Sequence, residues 1–226
     1  MDKRRIKKLI KKYFDELCST NNFIAISDTL FLRIKGNVLH IINFDLGSTG
    51  LTCLVAMMPL YTLEHTLCVT LNMGSRLSRF KTIQNEWWPY ENIEQSLCDI
   101  MELLIKNGLP WFEQYGTPEG IINFIKINKK EEYGLVSFDL FHQKKYLGFS
   151  LLYLGGVEEG IRCLEDMISE IKDNAAEFML IYKKQLRDLV NTIKSHPNKI
   201  SETLDAYIYD NALTLRLPME LFANNT

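Results

Sequence analysis

The sequence is short of the features that usually reveal a chemistry. No window approaches the roughly 18 consecutive apolar residues that a membrane-spanning helix needs. Lys3, Arg4, Arg5, Lys7, Lys8, Lys11 and Lys12 break up the N-terminal segment, so it lacks the apolar run of a secretory signal. Histidine is scarce: His40, His65, His142 and His196 are scattered, and there is no His-x-x-x-His or Cys-x-x-Cys spacing. No metal or other cofactor is therefore expected. Cys18, Cys53, Cys68, Cys98 and Cys163 are odd in number and far apart, which argues against a disulfide scaffold and for reduced, mostly core thiols in a cytoplasm. The phosphate-loop and dinucleotide glycine patterns are absent. Gly47-Ser48-Thr49-Gly50 lacks the Gly-x-Ser-x-Gly order of a nucleophile elbow and reads as a turn between strands.

What remains is an ordinary globular composition. The 226 residues are 46% hydrophobic, 24% charged and 11% aromatic, with a formal charge of -2. Such a chain can bury a sizeable core. A near-neutral total exerts no general pull on nucleic acid or anionic membranes. The abundance of Lys, Ile and Asn points to an AT-rich, bacterial genome.

Periodicity divides the chain. Ile6, Leu9, Ile10, Tyr13, Phe14 and Leu17 share one stripe of a predicted helix over 2–18, with the basic residues opposite. From residue 23 to 73 the period changes to two. Leu30, Leu32 and Ile34 alternate with Phe31, Arg33 and Lys35. Gly36-Asn37 then predicts a tight hairpin into the run Val38 to Phe44, because Gly accepts the positive φ that a two-residue turn demands. Leu51–Met58 and Thr66–Met73 read as further strands, giving an antiparallel sheet of about four.

Helical spacing returns near residue 91. Ile93, Leu97, Ile100, Met101, Leu104 and Ile105 form a stripe that Gly108 is expected to end, with Pro110 just beyond. Thr117-Pro118 predicts an N-cap and first residue of a helix to about Ile127. The polar stretch Asn128 to Glu132 marks the expected seam between a sheet-bearing part, 1–127, and a helical part, 133–226, packed on it as one unit. Two long helices are predicted within 138–195, and Ser201 is placed as the cap of a last helix. Ala212–Leu217 is compatible with helix or strand. Strands first and helices after predict an α+β fold with a C-terminal helical bundle.

Several of these segments carry a likeness to a family. Asn72-Met73-Gly74 at a strand end, Arg76-Leu77, Trp87-Trp88, Leu109-Pro110-Trp111-Phe112 after a helix, and the strands from Phe31 through Phe44 resemble the bacterial domain of unknown function 4304 family, over about 5–125. The resemblance implies an α+β fold in cytoplasmic bacterial proteins and supplies no catalytic residue. Leu147-Gly148, Leu151, Gly155, Gly160 and Leu164 resemble a single tetratricopeptide-like helix pair. Lys144 and Gly160 depart from that pattern, there is no second copy, and an ordinary helical hairpin also accounts for the spacing.

Three functional readings follow. In the first, Trp87, Trp88, Tyr90 and Trp111 with Arg76 and Arg79 form a binding surface, since Trp, Tyr and Arg are typical interface anchors. The chain is then a non-catalytic protein-binding module, such as an immunity or toxin-neutralising protein or an adaptor. The alternative for these rings is to plug the joint between sheet and helices. In the second, Glu64, His65, Cys68 and Asp45 converge in an enzyme site that the sequence does not display. In the third, the basic first helix contacts nucleic acid. Its wide apolar stripe favours instead the outer face of a docked helix, and nucleic acid is not the partner expected.

Overall fold

The computed structural model describes residues 2–63, 73–80, 87–127, 131–135 and 138–223. The chain opens with α1 (Lys3–Thr20), capped by the Asp2 carboxylate on the Arg4 amide. Ile6, Ile10, Phe14 and Cys18 recur every fourth residue and are buried, so the predicted stripe is the face that packs.

An antiparallel sheet follows, with β1 (Ile24–Ser27), β2 (Leu30–Lys35), β3 (Val38–Leu46), β4 (Gly50–Pro59) and β5 (Met73–Arg76) in that spatial order. A short β6 (Trp88–Pro89) pairs with the start of β4. The described sheet thus has six strands rather than about four. The expected strand over Thr66–Met73 lies mostly outside the described residues, and β5 begins at its last residue. The β2–β3 hairpin turns on Gly36 and Asn37, with φ of 56° and 57°. Those values impose the two-residue turn and pair Lys35 with Val38, Ile34 with Leu39 and Arg33 with His40.

The β3–β4 ladder is the longest, running from Val38 opposite Pro59 to Leu46 opposite Leu51. Its sequence is apolar almost without alternation because both faces are covered. Phe31, Val38, Ile42, Phe44, Cys53, Val55 and Met57 face the core shared with α1 and later helices. Leu32, Ile34, Leu39, Ile41, Ala56 and Met58 face the opposite way, where Leu217 and Leu221 from the C-terminal segment pack.

After β6 come α2 (Ile93–Leu103), α3 (Leu109–Tyr115) and α4 (Pro118–Lys126). Gly108 does not end the first of these. A π-helical turn over Leu104–Gly108 carries the chain directly into α3, and the Leu109 amide reaches back to the Leu104 carbonyl. The wider turn accommodates Pro110, which has no amide to donate to an α-helical ladder. The cap at Thr117 is as expected, its hydroxyl accepting from the Gly120 amide at 3.2 Å.

Of the seam, residues 128–130 lie outside the described set. Tyr133, just past it, is buried against Phe80 and Phe124. The helical part contains α5 (Leu140–Tyr153), α6 (Val157–Glu170), α7 (Glu177–Ser195), α8 (Ile200–Thr214) and α9 (Glu220–Ala223). Ser201 lies inside the first turn of α8 and does not cap it, and α8 runs to Thr214. The ambiguous stretch therefore finishes a helix and then turns at Arg216 to deliver Leu217 to the sheet. Asn211 ties α8 to the end of β4, donating to the Leu60 and Thr62 carbonyls at 2.7 and 2.8 Å.

Helices α5 and α6 form a close antiparallel hairpin. A Cβ on Gly160 would stand 2.8 Å from Leu152, and one on Gly148 2.8 Å from Leu164. Small residues here set the interhelical distance. Gly160→Val is expected to destabilise the fold by about 1–3 kcal/mol through overpacking, read as a lower urea midpoint with an unchanged m-value.

Candidate interaction surface

The β3–β4 turn is the foundation of an aromatic surface. Its backbone closes through the Gly47 amide on the Gly50 carbonyl at 2.9 Å. Strand β6 lies across it, pairing Leu51 with Trp88 and Gly50 with Pro89. The Tyr90 amide donates to the Thr49 carbonyl at 3.3 Å, and the Tyr90 hydroxyl to the Gly47 carbonyl at 3.1 Å. The glycines leave room for this approach: a Cβ on Gly50 would fall 2.3 Å from the Trp88 carbonyl oxygen, and one on Gly47 2.9 Å from the Trp87 ring. The turn thus selects glycine for the segment that lies on it, and not only for its own curvature.

Trp87, Trp88 and Tyr90 are half-buried around this turn and Pro89 is exposed. Trp88 packs on the core. The Arg76 guanidinium sits 5.2 Å from the Trp87 ring centroid, a cation–π contact made from the neighbouring strand. Arg79, one turn further, is half-buried with its Cβ close to Gly134. Burial, then the nearby Asp45 carboxylate, holds the Tyr90 phenol above its ordinary value. Arg76, Trp87, Trp88 and Tyr90 therefore lie at or near the surface of one region, and Arg79 is half-buried beside Gly134.

Trp111 is the exception, at 1% exposure. It packs edge-on to Phe80 at 5.1 Å and beside Phe112 at 5.3 Å, inside the core. Its place in α3, on the inward side of a helix, explains why it is sealed in the core, whereas Trp88 is only partly buried against that core and Trp87 is half-exposed.

Of the residues considered for an enzyme, Glu64, His65 and Cys68 lie outside the described residues. Asp45 is exposed on β3 opposite Thr52. Burial pushes the Cys18 thiol up to about 12, with Asp15 adding to the effect, and burial raises Cys53 further. Thiols held protonated in this way are poor nucleophiles. A cleft of about 500 Å³ between the α5–α6 corner and α8 is lined by Tyr153, Gly155, Asn198, Ser201, Leu204 and Asp205, with no imidazole or thiol in its wall. Among the described residues, no three His, Cys, Asp or Glu side chains gather where they could hold a metal ion. No described helix is long and apolar enough to cross a membrane.

The structure also contains an ionic cluster that composition did not announce, with Arg33 and His40 buried and Glu113 open to solvent. Arg33 on β2 donates from Nε to His40 Nδ1 at 3.0 Å and from Nη1 to the Asn21 carbonyl at 3.0 Å, and its Nη2 stands 2.8 Å from Glu113. Because Nδ1 accepts, the His40 proton is on Nε2, which donates to the Gly116 carbonyl at 2.7 Å. The ring stacks on Phe112 at 4.9 Å. Burial, then the Arg33 charge, pushes the His40 pKa down to about 3. Partial burial pulls the Glu113 carboxyl upward, but Lys35 and Arg33 outweigh it and hold it below the ordinary carboxylate range. A neutral, doubly bonded imidazole is a strut here: it ties the sheet to α3 and to the loop before α4. The hairpin register that pairs Arg33 with His40 was the available signal, since a two-residue turn at Gly36-Asn37 forces them opposite each other.

In comparisons with known proteins, no family model matches the chain, and no curated protein or solved structure matches it.

Two measurements check these assignments. The His40 imidazole should remain neutral in NMR titration down to about pH 4, in contrast to an unfolded-state value near 6.5. Its folded pKa is the lower one, so the unfolded chain binds the extra proton and stability falls as pH drops from about 6.5 towards 3. His40→Gln should flatten that part of the stability curve. In thiol labelling of the native protein, exposed Cys98 should react while buried Cys18 and Cys53 react only on unfolding.

Proposed function

We propose that the chain is a non-catalytic protein-binding module that docks through the surface built on the β3–β4 turn. The observation that carries this reading is the half-exposed Trp87–Tyr90 segment, held in place by strand pairing and side-chain bonds, with Arg76 over Trp87. Rigid aromatic rings beside guanidinium groups lose little conformational entropy on binding and are the residue types that dominate interface energetics. The raised thiols of Cys18 and Cys53 and the neutral, fully engaged His40 support a binding role over a catalytic one. Within this reading the chain acts in a bacterial cytoplasm as an immunity or toxin-neutralising protein, or as an adaptor. The likeness to the domain of unknown function 4304 family belongs to the same proposal and adds no reacting group. The α5–α6 hairpin, with its close glycine contacts, supports a tetratricopeptide-like pair only as one unit.

The test is affinity capture from the source cells with mass-spectrometric identification, run in parallel with Trp87→Ala, Arg76→Ala and a distant control, Glu202→Gln. A stoichiometric partner retained by the control and weakened at least about tenfold by the first two is expected, as for loss of an interface anchor. Recovery of the same proteins by all variants, or of none together with turnover in a hydrolase screen, contradicts the reading.

A further inference from the structure

Arg4, Arg5, Lys7, Lys8, Lys11 and Lys12 stand exposed on α1. Among the described residues none of these side chains has an ion pair or hydrogen bond. Elsewhere Lys35 pairs with Glu113, Lys144 with Glu170, Lys183 with Asp173 and Lys194 with Glu165. Six cations are thus gathered on one helix face, a concentration that the total charge of -2 conceals.

The arrangement works against the helix that carries it. Lys3–Lys7, Arg4–Lys8, Lys7–Lys11 and Lys8–Lys12 are like charges one turn apart, which repel, and only Lys11–Asp15 and Lys12–Glu16 offset them. The first turn holds Lys3, Arg4 and Arg5 and no acid, where the macrodipole is already positive. Docking on the sheet does not require this, because Ile6, Ile10 and Phe14 provide the buried face whatever stands opposite. An anionic partner outside the chain accounts for it.

The chemistry of the face selects among anions. Leu9, Tyr13 and Leu17 are packed against the core, so the outward side offers no aromatic or aliphatic group to insert into a bilayer or to fill a pocket on a protein. Over its first three turns it offers cations, spaced over about 12 Å from Arg4 to Lys12, with Asp15, Glu16 and Asp28 beside the far end of the row. A phosphate backbone requires no more than that. We propose that the outward face of α1 binds the phosphate backbone of nucleic acid, without sequence preference. This inference stands apart from the protein-binding surface and does not depend on it.

The experiment is fluorescence anisotropy of the full chain with a labelled single-stranded RNA and a labelled DNA duplex, each of about 20 nucleotides per strand, across about 50 to 200 mM salt. With some four phosphate contacts, affinity should fall about a hundredfold over that range. The triple variant Arg4→Glu/Lys7→Glu/Lys8→Glu should lose binding while its thermal midpoint holds or rises, because the new charges relieve the repulsions and suit the dipole. Glu202→Gln, on the distant α8, should bind as the parent does. Absence of binding at low salt, binding unchanged in the triple variant, or equal binding of polyglutamate or anionic vesicles would overturn the proposal.

Discussion

Everything else in the molecule depends on the burial of both faces of the β3–β4 ladder. Nine residue pairs, from Val38–Pro59 to Leu46–Leu51, form a two-sided apolar plate. Neither face can remain in water, so each dictates what covers it. One face recruits α1 and the aromatic core around Phe112, Phe124 and Tyr133. The other recruits the C-terminal segment through Leu217 and Leu221. The last residues of the chain therefore help complete the sheet laid down by its first sixty, and Asn211 fixes that return by satisfying two carbonyls at the end of β4. At roughly 25 cal/mol per Å² of apolar area, coverage of this kind is the dominant favourable term in the fold.

The same ladder places the polar features. The neighbouring β2–β3 register sets His40 beside Arg33, where a protonated imidazole would face a guanidinium in a dry interior. The neutral tautomer follows from that geometry, and so does the strut to Gly116. At the other end of the ladder, the turn is clasped by Trp87–Tyr90. The aromatic surface is fastened to the longest ladder in the sheet, and it is partly exposed because a turn lies at the sheet's end. Lys3 donates to the Leu46 carbonyl at the margin of this turn, so the basic helix begins beside the aromatic surface.

Much of this was legible in the residues. Gly36-Asn37 and Gly47 to Gly50 located both hairpins, since positive φ and compact turns have strong residue preferences. The Thr117-Pro118 cap and the α1 stripe were equally plain. Other features left no local mark. Strand β6 is two residues long, one of them proline, and exists only because the turn it crosses has already formed. The π turn at Leu104–Gly108 ends on a Gly, with Pro110 just beyond, a pairing that ordinarily ends a helix, and tertiary packing of Leu104 and Trp111 overrides that signal. Nothing in sequence distinguishes Trp111, sealed in the core, from Trp87, half in solvent. Burial of a tryptophan depends on which side of its element faces the sheet.

The central claim is that the aromatic surface is preorganised by the ladder beneath it. Native-state amide hydrogen exchange tests this most directly, because it reads the free energy of local opening at single residues. The amides of Gly47 and Tyr90, which close the turn and fasten the aromatic segment to it, should exchange as slowly as that of Ile42 in the centre of β3, through global unfolding alone. Exchange of Gly47 and Tyr90 by local opening, far faster than Ile42, would contradict the account: the surface would then be a loose loop resting on the sheet and not a part of it.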